Sequence, residues 1–256
     1  VVGTPIGNLE DLSPRAIRIL SEVDFIAAED TRVTMKLLSH FGIKKPLVSY
    51  HEHNRVTRTG EILSRIKCGE NCALVTDAGM PAISDPGEDL VRACREENVD
   101  VESDPGPTAF ATAMAISGMS SGRFTFEGFL SVNKRSRKEH LAQIVNEPRT
   151  MIFYEAPHKL IYTLQDMYDA LGDREIAVCR EITKLHEQVI KTTLSGAIAH
   201  FAETKPQGEF VLVIEGAKPQ DDDNEYTLED AVDIARKLQD SGMPASAAAK
   251  QAASAT

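Results

Sequence analysis

No stretch of this 256-residue chain approaches the length of a membrane span, and no charged-then-apolar leader opens it, so the sequence predicts a cytoplasmic protein. Cysteine is scarce. Cys68, Cys72, Cys94 and Cys179 show no Cys-x-x-Cys spacing and have no histidine cluster beside them, which argues against zinc or a disulfide framework and predicts reduced thiols and no metal. The chain also lacks a Gly-x-Gly-x-x-Gly turn and the Lys-Ser/Thr of a phosphate loop, so dinucleotide and nucleoside-triphosphate binding are poorly supported. Positive charge is short as well. A formal net charge of −11 argues against general nucleic-acid affinity.

That deficit is uneven. Residues 219–256 hold eight acidic against three basic side chains, whereas Lys134-Arg135-Ser136-Arg137-Lys138 sets four cations in five residues. Such a run reads as a solvated helix start or as a phosphate-contacting patch.

Short apolar runs alternate with amphipathic stretches, the pattern of an α/β protein. Strands are expected at Val1-Val2, Phe25–Ala28, 72–75, around Val99–Glu102, and then at 124–129, 151–154, 176–179, 188–190 and 209–214. Helices are expected from Pro14 behind the cap Ser13, over 31–41, 54–67, 88–97, 108–117, from the basic run to about Val145, and near 158–171 and 195–202. Several strands of the second half lie too close for helical crossovers, which predicts a mixed sheet there. Ser117–Gly122 is the best boundary by Gly/Ser density, giving an N-terminal α/β domain over 1–119 and a second over 120–218. An acidic linker, Pro219–Glu225, and a capping-box helix start at Thr227 then open a small helical appendage over 219–256. Both ends of the chain look trimmed.

Three Gly/Pro turns call for one explanation. Gly3-Thr4-Pro5-Ile6-Gly7-Asn8-Leu9 follows the first strand, Thr76-Asp77-Ala78-Gly79-Met80-Pro81-Ala82-Ile83-Ser84-Asp85-Pro86-Gly87 a middle one, and Pro105-Gly106-Pro107 another. Glycine and proline let backbone groups approach a small ligand, and strand ends on one sheet edge are where open α/β sheets bind. A tight β–α connection capped by aspartates is the plainer reading of any one of them.

These turns, with Ala28-Glu29-Asp30-Thr31-Arg32, Ser49-Tyr50-His51-Glu52-His53-Asn54, Phe153-Tyr154-Glu155-Ala156-Pro157-His158 and Arg180-Glu181-Ile182-Thr183-Lys184, resemble the tetrapyrrole methylase superfamily over nearly the whole chain. Within it they resemble the bacterial 16S rRNA cytidine 2′-O-methyltransferases. Met80, where a small hydroxylated residue is usual, and Ser103-Asp104, where an apolar residue is common, depart from the pattern. The resemblance implies two α/β domains with S-adenosylmethionine folded into the cleft between them, usually in a homodimer, and 16S rRNA of the small ribosomal subunit as substrate. By motif position it assigns cofactor contacts to Pro5, Ile6, Asp77, Ala78, Ile83, Thr108, Ala109, Glu155, Ala156 and the backbone near Gly208. Asp77 as a turn cap and Glu155 paired with Arg180 are the structural rivals.

Methyl transfer to a ribose hydroxyl needs alignment, exclusion of water and a general base. The candidates for that base are Asp30, Glu29, His51, His53 and Asp85, which the sequence does not rank. Arg32 reads as an anchor for a phosphate or carboxylate, and Lys134, Arg135, Arg137 and Lys138 as RNA contacts. A tetrapyrrole carbon methyltransferase and a non-catalytic ribosome-assembly factor are the alternatives.

Overall fold

Ser13 caps the first helix by accepting from Ala16 N at 2.9 Å, Pro14 supplies the fixed φ of its first residue, and α1 (Pro14–Glu22) buries Ala16 and Leu20. The chain then turns into β1 (Phe25–Ala28), whose four residues are all buried. This computed structural model describes residues 1–218 and 228–255, in two units, Val1–Ala217 and Lys218–Thr256.

In the first unit β1 is the centre of a parallel sheet of order β2-β1-β3, with β2 at Leu47–Ser49 and β3 at Cys72–Val75. Parallel neighbours need crossovers, supplied by α2 (Thr31–His40) and α3 (Arg55–Lys67). Side chains of β1 alternate between two cores. Ile26 and Ala28 pack with Leu20 of α1 and Leu38 of α2, while Phe25 and Ala27 pack with Ile62 of α3 and Leu90 of α4 (Gly87–Glu96). Burial on both faces explains why Phe-Ile-Ala-Ala carries no polar residue.

The second sheet has the order β4-β5-β8-β6-β7: Phe124–Phe129, Thr150–Glu155, Phe210–Ile214, Glu175–Arg180 and Gln188–Thr193. β4 and β5 are parallel and the other pairs antiparallel, the mixed sheet that the close strand spacing predicts. One face packs on α6 (Lys134–Gln143), α7 (Leu160–Leu171) and α8 (Leu194–Glu203) through Leu141, Leu164 and Phe201. The other face, Ile152, Ala177, Cys179, Val211 and Val213, is covered by Ala113 and Met114 of α5 (Ala109–Ile116) and by Ile6. A helix from the first half of the chain thus closes the core of the second sheet. Burial pushes the Cys179 thiol there up to about 12, an inert thiol.

Two expectations change. Val1-Val2 and Val99–Glu102 do not form strands. Val2 meets Asp104, two residues beyond the second segment, in an isolated bridge, and Pro105, lacking an N–H, ends the pairing. β2 was not legible, being three half-buried residues behind Pro46. In the second unit α9 (Leu228–Asp240) and α10 (Ala245–Ala255) are joined through Gly242 and Pro244. The expected linker 219–225 and the cap Thr227 lie outside the described residues. Among the described residues no helix is long and apolar enough to cross a membrane.

Candidate active site

The three parallel strands end together, Ala28 registering with both Ser49 and Val75, so the residues that follow share one sheet edge. Polar bonds tie their loops. Thr76 Oγ1 donates to Glu29 Oε2 at 2.6 Å, and Asp30 N donates to Asp77 Oδ1 at 3.0 Å. Thr4 and Gly79 exchange both backbone bonds (2.9 and 3.1 Å), and Gly3 N donates to Asp104 O at 3.1 Å. The Gly/Pro turns therefore do converge. They are packed so closely that a Cβ on Gly3 would stand 2.6 Å from Gly106 Cα and 2.8 Å from Met80 Sδ. Met80, the departure noted above, fills this junction and takes the Gly106 N–H at 3.2 Å.

The second sheet presents a matching edge. Phe129, Glu155 and Arg180 end β4, β5 and β6, and Phe210, paired with both Glu155 and Arg180, begins β8 just after Gly208. The two edges touch at two points. A Cβ on Gly7 would lie 2.8 Å from Thr183 Oγ1, and one on Gly128 would lie 3.2 Å from Ser84 Oγ. Of the five non-glycine residues with positive φ among those described, Ala82, Ser84, Glu181 and Thr183 lie in these two facing loops. A β-branched residue at φ +67, such as Thr183, is disfavoured, and backbone of this kind costs roughly 1–3 kcal/mol per residue and collects at ligand sites. Thr183 Oγ1 is also buried without a hydrogen-bond partner. Residue type gave no signal for either feature.

The candidate bases differ sharply in what they already hold. Asp30 caps α2 through Arg32 N and binds the Arg32 guanidinium at 2.6 Å, which holds its carboxyl down at about 2. Arg32 accordingly anchors a carboxylate, that of its own neighbour. Asp85 Oδ1 accepts from Ala82 N (2.7 Å) and Gly87 N (3.1 Å), the bonds that shape the strained loop, although burial raises its pKa. Burial likewise raises Asp77. Asn54 Oδ1 is taken by the His51 N–H, so its amide nitrogen faces His51 Nε2 at 3.2 Å. The other ring nitrogen, Nδ1, is buried and unpartnered. His53 is exposed, lies edge-on to His51 at 6.0 Å, and makes no hydrogen bond among the described residues.

The residues assigned to cofactor contact divide similarly. Pro5 is half-buried, Asp77, Ala78 and Ile83 are exposed on the loop, and Thr108 and Ala109 start α5 with the Thr108 side chain unused as a cap. Ile6 is buried in the core. Glu155 is buried, with its carboxylate bound to Thr163 Oγ1 (2.6 Å) and Ala156 N (2.8 Å), so it closes its own strand–helix turn. Its expected rival partner is elsewhere: Arg180 Nε donates to Gln207 O at 2.6 Å. At Gly208, φ is +86 and Glu181 occupies the space a Cβ would need.

The basic run divides as well. Arg137 is half-buried, bonded to Asp166 at 2.6 Å and to Ser131 O at 2.9 Å, and Arg135 pairs with Glu139 at 2.8 Å. Lys134 and Lys138 are exposed, without an ion pair among the described residues. Lys134 starts α6, where Asn133 already caps the N–H groups of Arg135 and Ser136, and Lys138 lies one turn further on. A cation in the first turn opposes the dipole by about 0.3–1 kcal/mol, so helix stability does not account for Lys134. A cavity of about 700 Å³ lies elsewhere, lined by Val1, Ile66, Cys72 and Leu90, and none of the predicted site residues borders it.

Residues 1–198 match the family Tetrapyrrole (Corrin/Porphyrin) Methylases. The chain is 51% identical over 257 residues to "Ribosomal RNA small subunit methyltransferase I" of Synechocystis sp., covering 100% of this chain and 92% of that protein. It is 48% identical to the protein of the same name from Thermotoga maritima, covering 84% and 97%. Among solved structures it resembles uroporphyrin-III-C-methyltransferase from Thermus thermophilus, with a TM-score of 0.59 at 18% identity over 84% of this chain and 92% of that one. It also resembles cobalt precorrin-4 methyltransferase, with a TM-score of 0.60 at 17% identity over 83% and 92%.

Proposed function

The chain belongs to the tetrapyrrole methylase family and is a methyltransferase, and from that premise we propose that it methylates the 2′-hydroxyl of a P-site cytidine in 16S rRNA, with S-adenosylmethionine as methyl donor. The observation that carries the RNA substrate is identity near one half, over almost the whole chain, to proteins named for the small-subunit ribosomal RNA. The unpaired Lys134 and Lys138, the first of them placed where helix stability opposes it, support it.

The residues suit this donor. Exposed Asp77 offers a carboxylate to a cationic ligand, Ile83 and Pro5 offer apolar contact, and the orphaned Thr183 hydroxyl offers an unused polar partner. The sulfonium supplies an electrophilic methyl group, so the protein's task is to align the ribose oxygen and take up its proton. Asp85, Glu29 and Asp30 hold the loops in place, and His51 is oriented by Asn54. His53, the imidazole left without a hydrogen bond on this edge, is the general base in this reading. The same reading makes the protein a cytoplasmic homodimer, in which local basic patches meet the RNA despite the net charge of −11 per chain.

The test is methyl transfer from labelled S-adenosylmethionine into small subunits that lack the modification. Alkali-resistant label at a single cytidine is expected. Label on a base, on a tetrapyrrole only, or on no RNA would defeat the proposal.

A further inference from the structure

β4 contains a bulge between Phe126 and Gly128: Phe126 registers with Ile152 of β5, Gly128 with Phe153 and Phe129 with Tyr154. In regular alternation Phe126 and Gly128 would share a face and Phe129 would point to the other. The extra residue, Glu127, turns the strand so that Phe126 and Phe129 both lie on the face of Ile152 and Tyr154, the one covered by α5 and Ile6. Gly128 has φ +65, and its neighbour across the cleft is Ser84 of the strained loop.

The result is an aromatic chain that runs from Phe124 through Phe110, Phe126 and Tyr154 to Phe129, its more exposed end. Phe110 stacks on Phe126 (4.7 Å, 25°), Phe126 meets Tyr154 edge-on (4.9 Å), and Tyr154 meets Phe129 (5.4 Å). Tyr154 OH, which accepts from Phe110 N at 3.1 Å, fixes the middle of the stack. Phe129, at the end, is 55% exposed. Five residues on, α6 opens with the unpaired Lys134, and Lys138, also unpaired among the described residues, follows one turn later. A flat apolar ring followed by free cations, beside the cleft, complements a base and its phosphate. An apolar protein surface would leave those cations unmatched.

We propose that Phe129 is a stacking platform for a nucleobase of the RNA substrate, a positioning residue for the methyl acceptor. The inference rests on the RNA reading above. The cofactor's adenine is the other nucleobase within reach of the cleft, so the experiment separates the two. Wild type, Phe129→Ala, Phe129→Leu and Phe129→Trp are compared for KM and kcat on unmethylated small subunits, for S-adenosylmethionine Kd by calorimetry, and for sedimentation.

Loss of one base–aromatic stack corresponds to roughly a 5- to 150-fold weaker RNA interaction. Phe129→Ala should therefore raise KM for the subunit by about tenfold or more, with kcat changed less. Trp should restore it and Leu should not, while cofactor Kd and sedimentation stay at wild-type values. Rescue by Leu, a parallel rise in cofactor Kd, or a smaller sedimenting species would each overturn the proposal. A wild type inactive on RNA would overturn the function and this inference together, whereas an active wild type matched by Phe129→Ala overturns the inference alone.

Discussion

The two sheets present facing edges but hold them by different means. The parallel sheet ties its loops with polar bonds, Thr76 to Glu29, Asp30 to Asp77 and Thr4 to Gly79. The mixed sheet, whose strands arrive from both directions, combines polar bonds within one loop pair with positive φ at Glu181 and Thr183 and a bulge at Gly128. Where all strands end together, consecutive motifs can bond to one another. Where β8 begins beside the end of β6, the bonds instead run across one antiparallel pair, Glu181 N to Glu209 O and Lys184 Nζ to Glu181 and Glu209. Among the candidate bases on the first edge, His53 alone makes no hydrogen bond among the described residues, and that is why it is proposed for the chemistry.

Replacing His53 by Ala is the strongest attack on this picture. Loss of a general base costs about 10²–10⁴ in rate. Single-turnover methyl transfer should fall by that amount while S-adenosylmethionine binding, measured calorimetrically, is retained. A drop of less than tenfold would return the role of base to the bonded carboxylates and remove the distinction drawn for this edge.

The basic run separates the same two uses of a polar group within five residues. Arg137 and Asp166 are each about 15% exposed, so Arg137→Ala leaves a mostly buried carboxylate unpaired and should cost about 3 kcal/mol in urea unfolding. Replacing Lys134 and Lys138 together should leave stability unchanged or raise it by up to about 1 kcal/mol, and flatten the salt dependence of RNA binding. Equal unfolding midpoints for the two variants would show that Arg137 is as free as its neighbours.

That split marks the limit of what sequence alone reveals. The convergence of Gly3, Asp77 and Gly106 was legible because Gly and Pro announce tight backbone, although only the Asp77 turn follows a true strand, β3. Arg137 was not, because its partner Asp166 is 29 residues away on another helix. β2 was too short to show a period, and Phe129 reads as one more strand residue until the bulge fixes its face. Thr183 is the clearest case, since a β-branched residue is the last choice for a left-handed position and only the fold over-determines it there.

Thr183 also gives a way to sharpen the contrast between stitched and strained edges. Thr183→Gly removes the penalty at φ +67 at the expense of chain entropy, for a net gain of about 1 kcal/mol in denaturant unfolding. It also deletes the unpartnered hydroxyl, so affinity for S-adenosylmethionine should fall. Stability and affinity moving together, in either direction, would mean that the strain is not tied to the ligand.

The smallest effect tests the stitching. Asp30 titrates at about 2 rather than 3.8, first because of its hydrogen bond to the Arg32 side chain and then because of the Arg32 backbone N–H. A carboxylate whose folded pKa is depressed binds fewer protons when folded than when unfolded. Its contribution is therefore present above pH 3.8 and is lost as pH falls through about 2. Asp30→Asn should flatten that part of the acid-stability profile and leave the curve above pH 5 parallel to wild type. Because the pair faces solvent, the difference should shrink when salt is raised from 0.01 to about 1 M, as the Debye length falls from about 30 to 3 Å. A difference that persists at high salt would locate the effect in the helix cap, since the Asp30 carboxylate also accepts from Arg32 N at 2.8 Å.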